Sequence, residues 1–405
     1  MLETKFSFLD MHIHRSWLRK IVTGMVWIFI AVRLAAAVGT TDTSSLVLEQ
    51  LERSREQYRT VETWQQRRVQ LRDNFLKGAG LWPLPEKSPL NPIVHSRREY
   101  DGYSVENIAL ESMPGFYCTG NLYRPLKTKR PGPAILCPHG HFTPLGRFRA
   151  EQQIRCAHLA RMGATVLSYS MVGWQDSQQT SHKDPLVLAL QTWNSIRALD
   201  YLAGLPEVDA SRIGMTGASG GGTQTFFLAF LDDRIAASAP VGIVYPWAPP
   251  LGCLCESGLP VMQAAGTNAI ELAASIAPRP QLFISIGHDN TRDFPKVGFP
   301  FVRDVYDIHK RADAARNVHL PDEYHDFGLS KRRAVYEFFA QHLQLPLLPE
   351  AADSIVIESP EQMEVFNGSH PLPANALQGS AAVDQALISL PRSVPRASAA
   401  SNPLN

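Results

Sequence analysis

Arg212-Ile213-Gly214-Met215-Thr216-Gly217-Ala218-Ser219-Gly220-Gly221-Gly222-Thr223-Gln224-Thr225-Phe226-Phe227-Leu228-Ala229-Phe230-Leu231 decides how this chain folds. Arg212–Gly217 reads as an apolar strand and Thr223–Leu231 as a helix. Between them, Gly217-Ala218-Ser219-Gly220-Gly221 matches G-x-S-x-G. The motif has a mechanical reason. A nucleophile at the tip of a sharp strand-to-helix turn sits in a strained backbone conformation, and small neighbours avoid clashes there. Five positions with three fixed recur by chance, so the flanking strand and helix carry the weight. The competing reading is a glycine-rich phosphate-binding turn. It lacks both the G-x-G-x-x-G and the Walker spacing, so no nucleotide cofactor is expected.

A serine hydroxyl needs a base in hydrogen-bond reach, and the base needs a group to orient it. With such an elbow the order along the chain is Ser, then Asp or Glu, then His. Gln281–Ile286 is an apolar strand leading into Gly287-His288-Asp289, which makes Asp289 the expected acid and Asp293 its runner-up. Asn317-Val318-His319-Leu320 is a last short strand, and the loop Pro321–Gly328 after it carries His325, the expected base. His319, inside the strand, is expected to point into the sheet's packing. Ala134–Cys137 runs into Pro138-His139-Gly140-His141, where the backbone N–H of His141, together with that of Gly220, would form an oxyanion hole. A metal pair at His139-x-His141 is the rival, but no third ligand cluster with sensible spacing accompanies it, so no metal is expected. Val172-Gly173-Trp174-Gln175-Asp176-Ser177 should border the pocket. Trp174 and Trp247 are candidate sugar platforms and Asp176 a candidate hydroxyl ligand, with plain packing roles as the alternative.

Around the elbow, strands alternate with helices: strands at Ala134–Cys137, Ala164–Tyr169, Arg212–Gly217, Ala236–Val244, Gln281–Ile286 and Asn317–Leu320, and helices at Phe301–Arg311 and Lys331–Leu343. Leu186, Leu190, Trp193, Ile196 and Leu199 recur at helical spacing. This predicts an α/β fold, a mostly parallel sheet with helices on both faces. Tyr100–Leu110 and Phe116–Tyr123, joined at Met113-Pro114-Gly115, add an antiparallel N-terminal hairpin.

Three runs carry a family resemblance: Gln191-Thr192-Trp193-Asn194-Ser195-Ile196-Arg197-Ala198-Leu199-Asp200, Thr216-Gly217-Ala218-Ser219-Gly220-Gly221-Gly222-Thr223-Gln224-Thr225, and Asp322-Glu323-Tyr324-His325-Asp326-Phe327-Gly328. From Val172 to about Leu345 the chain resembles exported bacterial α/β-hydrolases of the acetylxylan esterase and prolyl-oligopeptidase-like kind. The resemblance implies ester hydrolysis, with acetyl groups on polysaccharide as the expected substrate. It puts the nucleophile on Ser219, the base on His325 and the acid on Asp289. Asn290 stands where relatives carry a bulky aromatic. A peptidase using the same triad is one alternative, although no propeller-sized domain precedes the hairpin. A non-catalytic carbohydrate-binding scaffold is another, against which the complete triad speaks.

The ends of the chain read differently. Arg15, Arg19 and Lys20 precede an apolar run, Ile21–Val32, and then Ala35-Ala36-Ala37, the order of a secretory signal peptide over 1–37. Export to the periplasm or medium is expected, with an uncleaved membrane anchor as the alternative. Residues 38–99 read as a helix, Ser45–Leu81, and a proline-marked linker. Residues 100–345 read as the catalytic domain. Residues 346–405 read as a polar, proline-rich extension with few core positions, disordered from about Gly379. The 39 basic and 38 acidic residues leave a net charge of +1, which argues against a nucleic-acid partner. Of five cysteines, Cys118, Cys137, Cys156, Cys253 and Cys255, an odd number rules out complete pairing, and buried thiols are expected.

Overall fold

The computed structural model describes residues 43–127, 131–245 and 266–393. Residues 1–37, Trp247, Cys253 and Cys255 lie outside the described residues. Met1–Glu49 and Gln50–Asn405 form separate units. Helix α1, Thr43–Gln57, begins in the first, and the sheet and the helices that follow belong to the second.

Nine strands form one sheet in the order β1-β2-β3-β5-β4-β6-β7-β8-β9. The first three are β1 (Ile93–Tyr100), β2 (Tyr103–Met113) and β3 (Phe116–Pro125), an antiparallel meander. The expected hairpin is its second half, turning at Gly115. β1 lies where the prolines suggested a linker. Its burial alternates only weakly, as suits a sheet edge. The six strands β4 (Gly132–Leu136), β5 (Thr165–Tyr169), β6 (Val208–Ala218), β7 (Ile235–Val241), β8 (Gln281–Ile286) and β9 (Ala315–Leu320) are mutually parallel, as expected.

From β4 the chain crosses to β5 on one side and then returns past it to β6 on the other. The two crossovers run in opposite directions. With right-handed connections, helix α3 (Ala150–Arg161) and helix α4 (Val187–Ala203) therefore cover opposite faces. The reversal leaves a crevice at the C-terminal ends of β4 and β6, where open α/β sheets bind ligands. One core cluster joins Cys156, Leu159 and Ala160 of α3, and Val335, Phe338 and Phe339 of α8 (Leu329–Leu343), to Ile135, Val166, Val241 and Ile284 of the sheet. On α4, Trp193 is buried and its indole N–H donates to the Ser112 carbonyl at 2.9 Å. Helix α5, Gly220–Leu231, is buried along its whole length, which explains a sequence apolar on every side.

Three expectations need correction. The single N-terminal helix is two: α1 ends at Gln57 and α2 runs Val61–Gly78. Thr60 caps α2 in a capping box with Thr63, a local signal that breaks the helix without proline or glycine. His319 does not point into packing. β9 is the edge strand, and His319 is exposed, its Nδ1 2.9 Å from Ser285 Oγ. The segment after residue 345 is folded through Ser393. Met363 and Val365 are fully buried, and Val383 and Leu387 bury one face of a helix, Ser380–Ser389. Polar contacts complete its attachment: Glu358 accepts from the Arg98 guanidinium at 2.6 and 2.8 Å, and Pro85 bridges to Arg392. Among the described cysteines, Cys118, Cys137 and Cys156 are free and buried, and burial pushes the Cys118 thiol up to about 12.

Candidate active site

Ser219 stands between the last residue of β6 and the first of α5, with φ +55° and ψ −126°. A non-glycine residue pays strain to hold that conformation. Its neighbours over-determine it: its N–H donates to Val241 O at 3.1 Å, and its carbonyl accepts from Thr223 N–H at 2.9 Å. Gly220 is the first residue of α5, so its N–H has no carbonyl partner within the helix.

The Asp289 and His325 side chains meet: His325 Nδ1 lies 2.9 Å from Asp289 Oδ2. The carboxylate can only accept, so Nδ1 carries the proton and Nε2 presents its lone pair. The other carboxylate oxygen accepts from Thr291 N–H at 2.7 Å and Thr291 Oγ1 at 2.5 Å. Thr291 Oγ1 in turn accepts from Ile286 N–H at 2.8 Å, which ties the acid to the end of β8. The Asp289 side chain is 7% exposed and that of His325 37%. Asp293 sits at the N-cap of helix α7 (Phe294–Ile308), 3.4 Å from the exposed Arg292 guanidinium, and the carboxylate bonded to His325 is that of Asp289.

Gly242 joins this pair to the serine. It follows Val241, the residue that accepts from Ser219 N–H, and has φ +60°. A side chain there would lie 3.0 Å from Asp289 Oδ2 and 3.2 Å from His325 Nδ1. Only glycine combines that backbone with that approach. No sequence signal marks it, because a lone glycine after an apolar strand is common.

The turn after β4 closes the other side. A Cβ on Gly140 would lie 2.9 Å from Ser219 Cβ, so the His139-Gly140-His141 backbone passes directly over the elbow. Phe142, another residue without a sequence signal, faces His325 at 5.9 Å between ring centres. His139 is fully buried. Its Nε2 accepts from Met171 N–H at 3.0 Å, so its proton is on Nδ1 and is donated to Gly140 O at 2.8 Å. Burial, with the Arg147 charge nearby, pushes its pKa down to about 3. With both nitrogens committed to backbone, His139 is a strut and not half of a metal pair. Among the described residues no three His, Cys, Asp or Glu side chains converge as a metal set. His141 Nε2 lies 2.7 Å from His182 Nε2, and His182 Nδ1–H donates to Val172 O at 2.6 Å.

Two further candidates change their meaning. Trp174 is half-buried, edge-on to His139, His141 and His182 at 5.6, 5.7 and 5.8 Å, so it packs against the turn after β4. Asp176 has no room for a substrate hydroxyl. Its oxygens accept two bonds of 2.7 Å from Arg147 and one each from Thr119 Oγ1 and Val365 N–H, also at 2.7 Å. The Arg147 side chain is fully buried and that of Asp176 is 4% exposed.

The structure superposes on that of methylesterase BT1017 with a TM-score of 0.79, at 38% identity over 84% of this chain and 79% of that one. The chain belongs to the family of that methylesterase. Members of this esterase family share their fold with more distant structures. A Bacteroides fragilis NCTC 9343 protein assigned as an acetyl xylan esterase matches with a TM-score of 0.53 at 15% identity, over 66% of this chain and 78% of that one. A glucuronoyl esterase from Teredinibacter turnerae T7901 matches with a TM-score of 0.50 at 15% identity, over 63% and 79% of the two chains. In sequence, YtaP of Bacillus subtilis (strain 168), assigned as a hydrolase, is 27% identical over 173 residues. That match covers 38% of this chain and 58% of YtaP, less than two thirds of its length. No protein-family model matches the chain.

Proposed function

We propose that the chain is a serine esterase acting on carboxylic esters of carbohydrates, with Ser219 as nucleophile, His325 as base and Asp289 as its orienting acid. One observation carries the reading: a strained serine at a strand–helix elbow, its N–H bonded to Val241 at the end of β7, with the next residue, Gly242, lying against a bonded Asp–His pair. The 38% identity with a methylesterase supports ester over peptide bonds, and ranks methyl esters of sugar acids ahead of the acetyl esters expected from sequence.

His325 Nε2 takes the Ser219 proton as Oγ attacks the ester carbonyl. The tetrahedral oxyanion rests on the N–H groups of Gly220 and His141. Collapse breaks the bond to the alcohol, which leaves with the proton held by His325. Water then gives a proton to His325 as it attacks the acyl carbon. Collapse breaks the bond to Ser219 Oγ, which takes that proton back from His325, and the free acid leaves. Asp289 holds the Nδ1–H tautomer throughout. Export, read from residues 15–37, completes the proposal by placing the enzyme among polysaccharides.

The test is a panel of methyl-esterified and acetylated oligosaccharides, scored for methanol and acetate release. Ser219→Ala should lower kcat by at least about 10⁴-fold at unchanged melting temperature. Turnover that survives this substitution rejects the nucleophile. Release of acetate but not methanol reverses the ranking of substrates.

A further inference from the structure

We propose that Tyr324, immediately before His325, is the stacking platform of a carbohydrate subsite that takes a neutral pyranose ring next to the esterified sugar. The proposal rests on the esterase reading above and names where its substrate extends.

Tyr324 is 68% exposed, more than any other large apolar or aromatic side chain among the described residues. Its exposure is not looseness. The ring lies parallel to the His288 imidazole, 4.6 Å between centres and 15° between planes. The two loops that carry the pair are pinned together by the His288 N–H donating to Glu323 O at 3.1 Å. His288 covers one face of the tyrosine and leaves the opposite face to solvent, already oriented. An aromatic face held in place at no further entropic cost is the surface onto which the C–H face of a sugar packs.

An open groove of about 500 Å³ runs beside it, lined by Asp322, Glu323, Tyr324, Asp326, Ser330 and Arg333. That volume holds one or two sugar rings. Glu323 and Asp326 accept from the buried Lys331 ammonium at 2.6 and 2.7 Å, and Ser330 Oγ donates to Glu323, so the carboxylates are fixed. Three carboxylates against Lys331 and Arg333 leave the rim rich in acceptors. Sugar hydroxyls are donors and suit it, whereas a free uronate would meet repulsion. The groove shares Asp326 with the loop that presents His325, so a chain bound along it leads to the reacting carbon. Trp174, which sequence put forward for this task, is half-buried and packs edge-on against three imidazoles.

The test compares an esterified oligosaccharide with the matching esterified monosaccharide. Tyr324→Ala should lower the ratio of their kcat/KM values roughly tenfold, through KM for the oligosaccharide. Tyr324→Phe should restore the ratio, since the ring and not the hydroxyl stacks. Equal loss on both substrates would mean that the change only disturbs His325, and overturns the subsite. Calorimetry on Ser219→Ala protein, with and without Tyr324→Ala, reads binding apart from chemistry. Oligosaccharide affinity that falls only with the tyrosine supports the subsite even if no ester is hydrolysed, an outcome that would reject the esterase reading alone. An oligosaccharide whose neighbouring ring bears a free carboxylate should bind more weakly than the neutral one, and tighter binding rejects the neutral-ring assignment.

Discussion

The rim of the sheet has two sides built from the same residue types and put to opposite uses. Beyond β4 and β5, His139, Asp176 and Arg147 spend every strong hydrogen-bonding group on the protein itself. Beyond β8 and β9, Asp289 spends one oxygen on its own loop and gives the other to His325, a side chain still 37% exposed. The first side is a wall that holds the turn after β4 over Ser219. The second is the edge that the proposed reaction uses, where Asp289 engages only one imidazole nitrogen of His325. What separates structural from reactive polar groups here is the number of partners already taken.

That contrast is open to attack at three points. The largest effect is expected at that second edge. Asp289→Asn should cost about 10⁴ in kcat, because the amide selects the wrong histidine tautomer, while the melting temperature barely moves. Asp293→Asn should leave kcat within a few-fold. The reverse result in steady-state assays would move the acid. Next comes the wall. Asp176→Ala strands the fully buried Arg147 charge and should destabilise the fold by about 3–5 kcal/mol in urea titration, with kcat at low temperature within tenfold of the parent. A stable Asp176→Ala protein with a lost kcat would mean that Asp176 serves the chemistry after all.

The smallest effect is a pH slope. His139 is held neutral when folded, its pKa about 3 against about 6.5 in the unfolded chain. Between those values the unfolded state binds a proton that the folded state refuses. Stability should therefore fall with falling pH by ~1.4 kcal/mol per unit from this residue, and level off below pH 3. His139→Gln should remove that part of the slope between pH 6 and 4. An unchanged slope would mean that His139 protonates in place and is no strut.

Much of this was legible in the chain. Most of the parallel strands are short and apolar, and the triad candidates Ser219, Asp289 and His325 lie just past strand ends, where the direction of a parallel sheet sends them to one edge. Asp293 is a reasonable rival in the sequence only because it lies four positions beyond Asp289 in the same loop. The boundary at Thr60 was missed because a capping box uses ordinary threonines. The C-terminal segment was misread because its buried residues, Met363, Val365, Val383 and Leu387, are too sparse to make a period. They fold as a strap, held by contacts with distant parts of the chain such as Arg98 and Asp176.

The sequence by itself therefore determined the alternating architecture and the strand–helix elbow at Ser219, and it supplied the order of the candidate reacting groups. These depend on hydrophobic periodicity and turn chemistry, which are local. Only the tertiary structure decided which polar groups were already satisfied. It put Gly242 beneath the Asp–His pair, closed Asp176 onto Arg147, set Trp174 edge-on to His139 and left the face of Tyr324 outward. Such outcomes depend on partners far away along the chain, and no window of sequence contains both members of the pair.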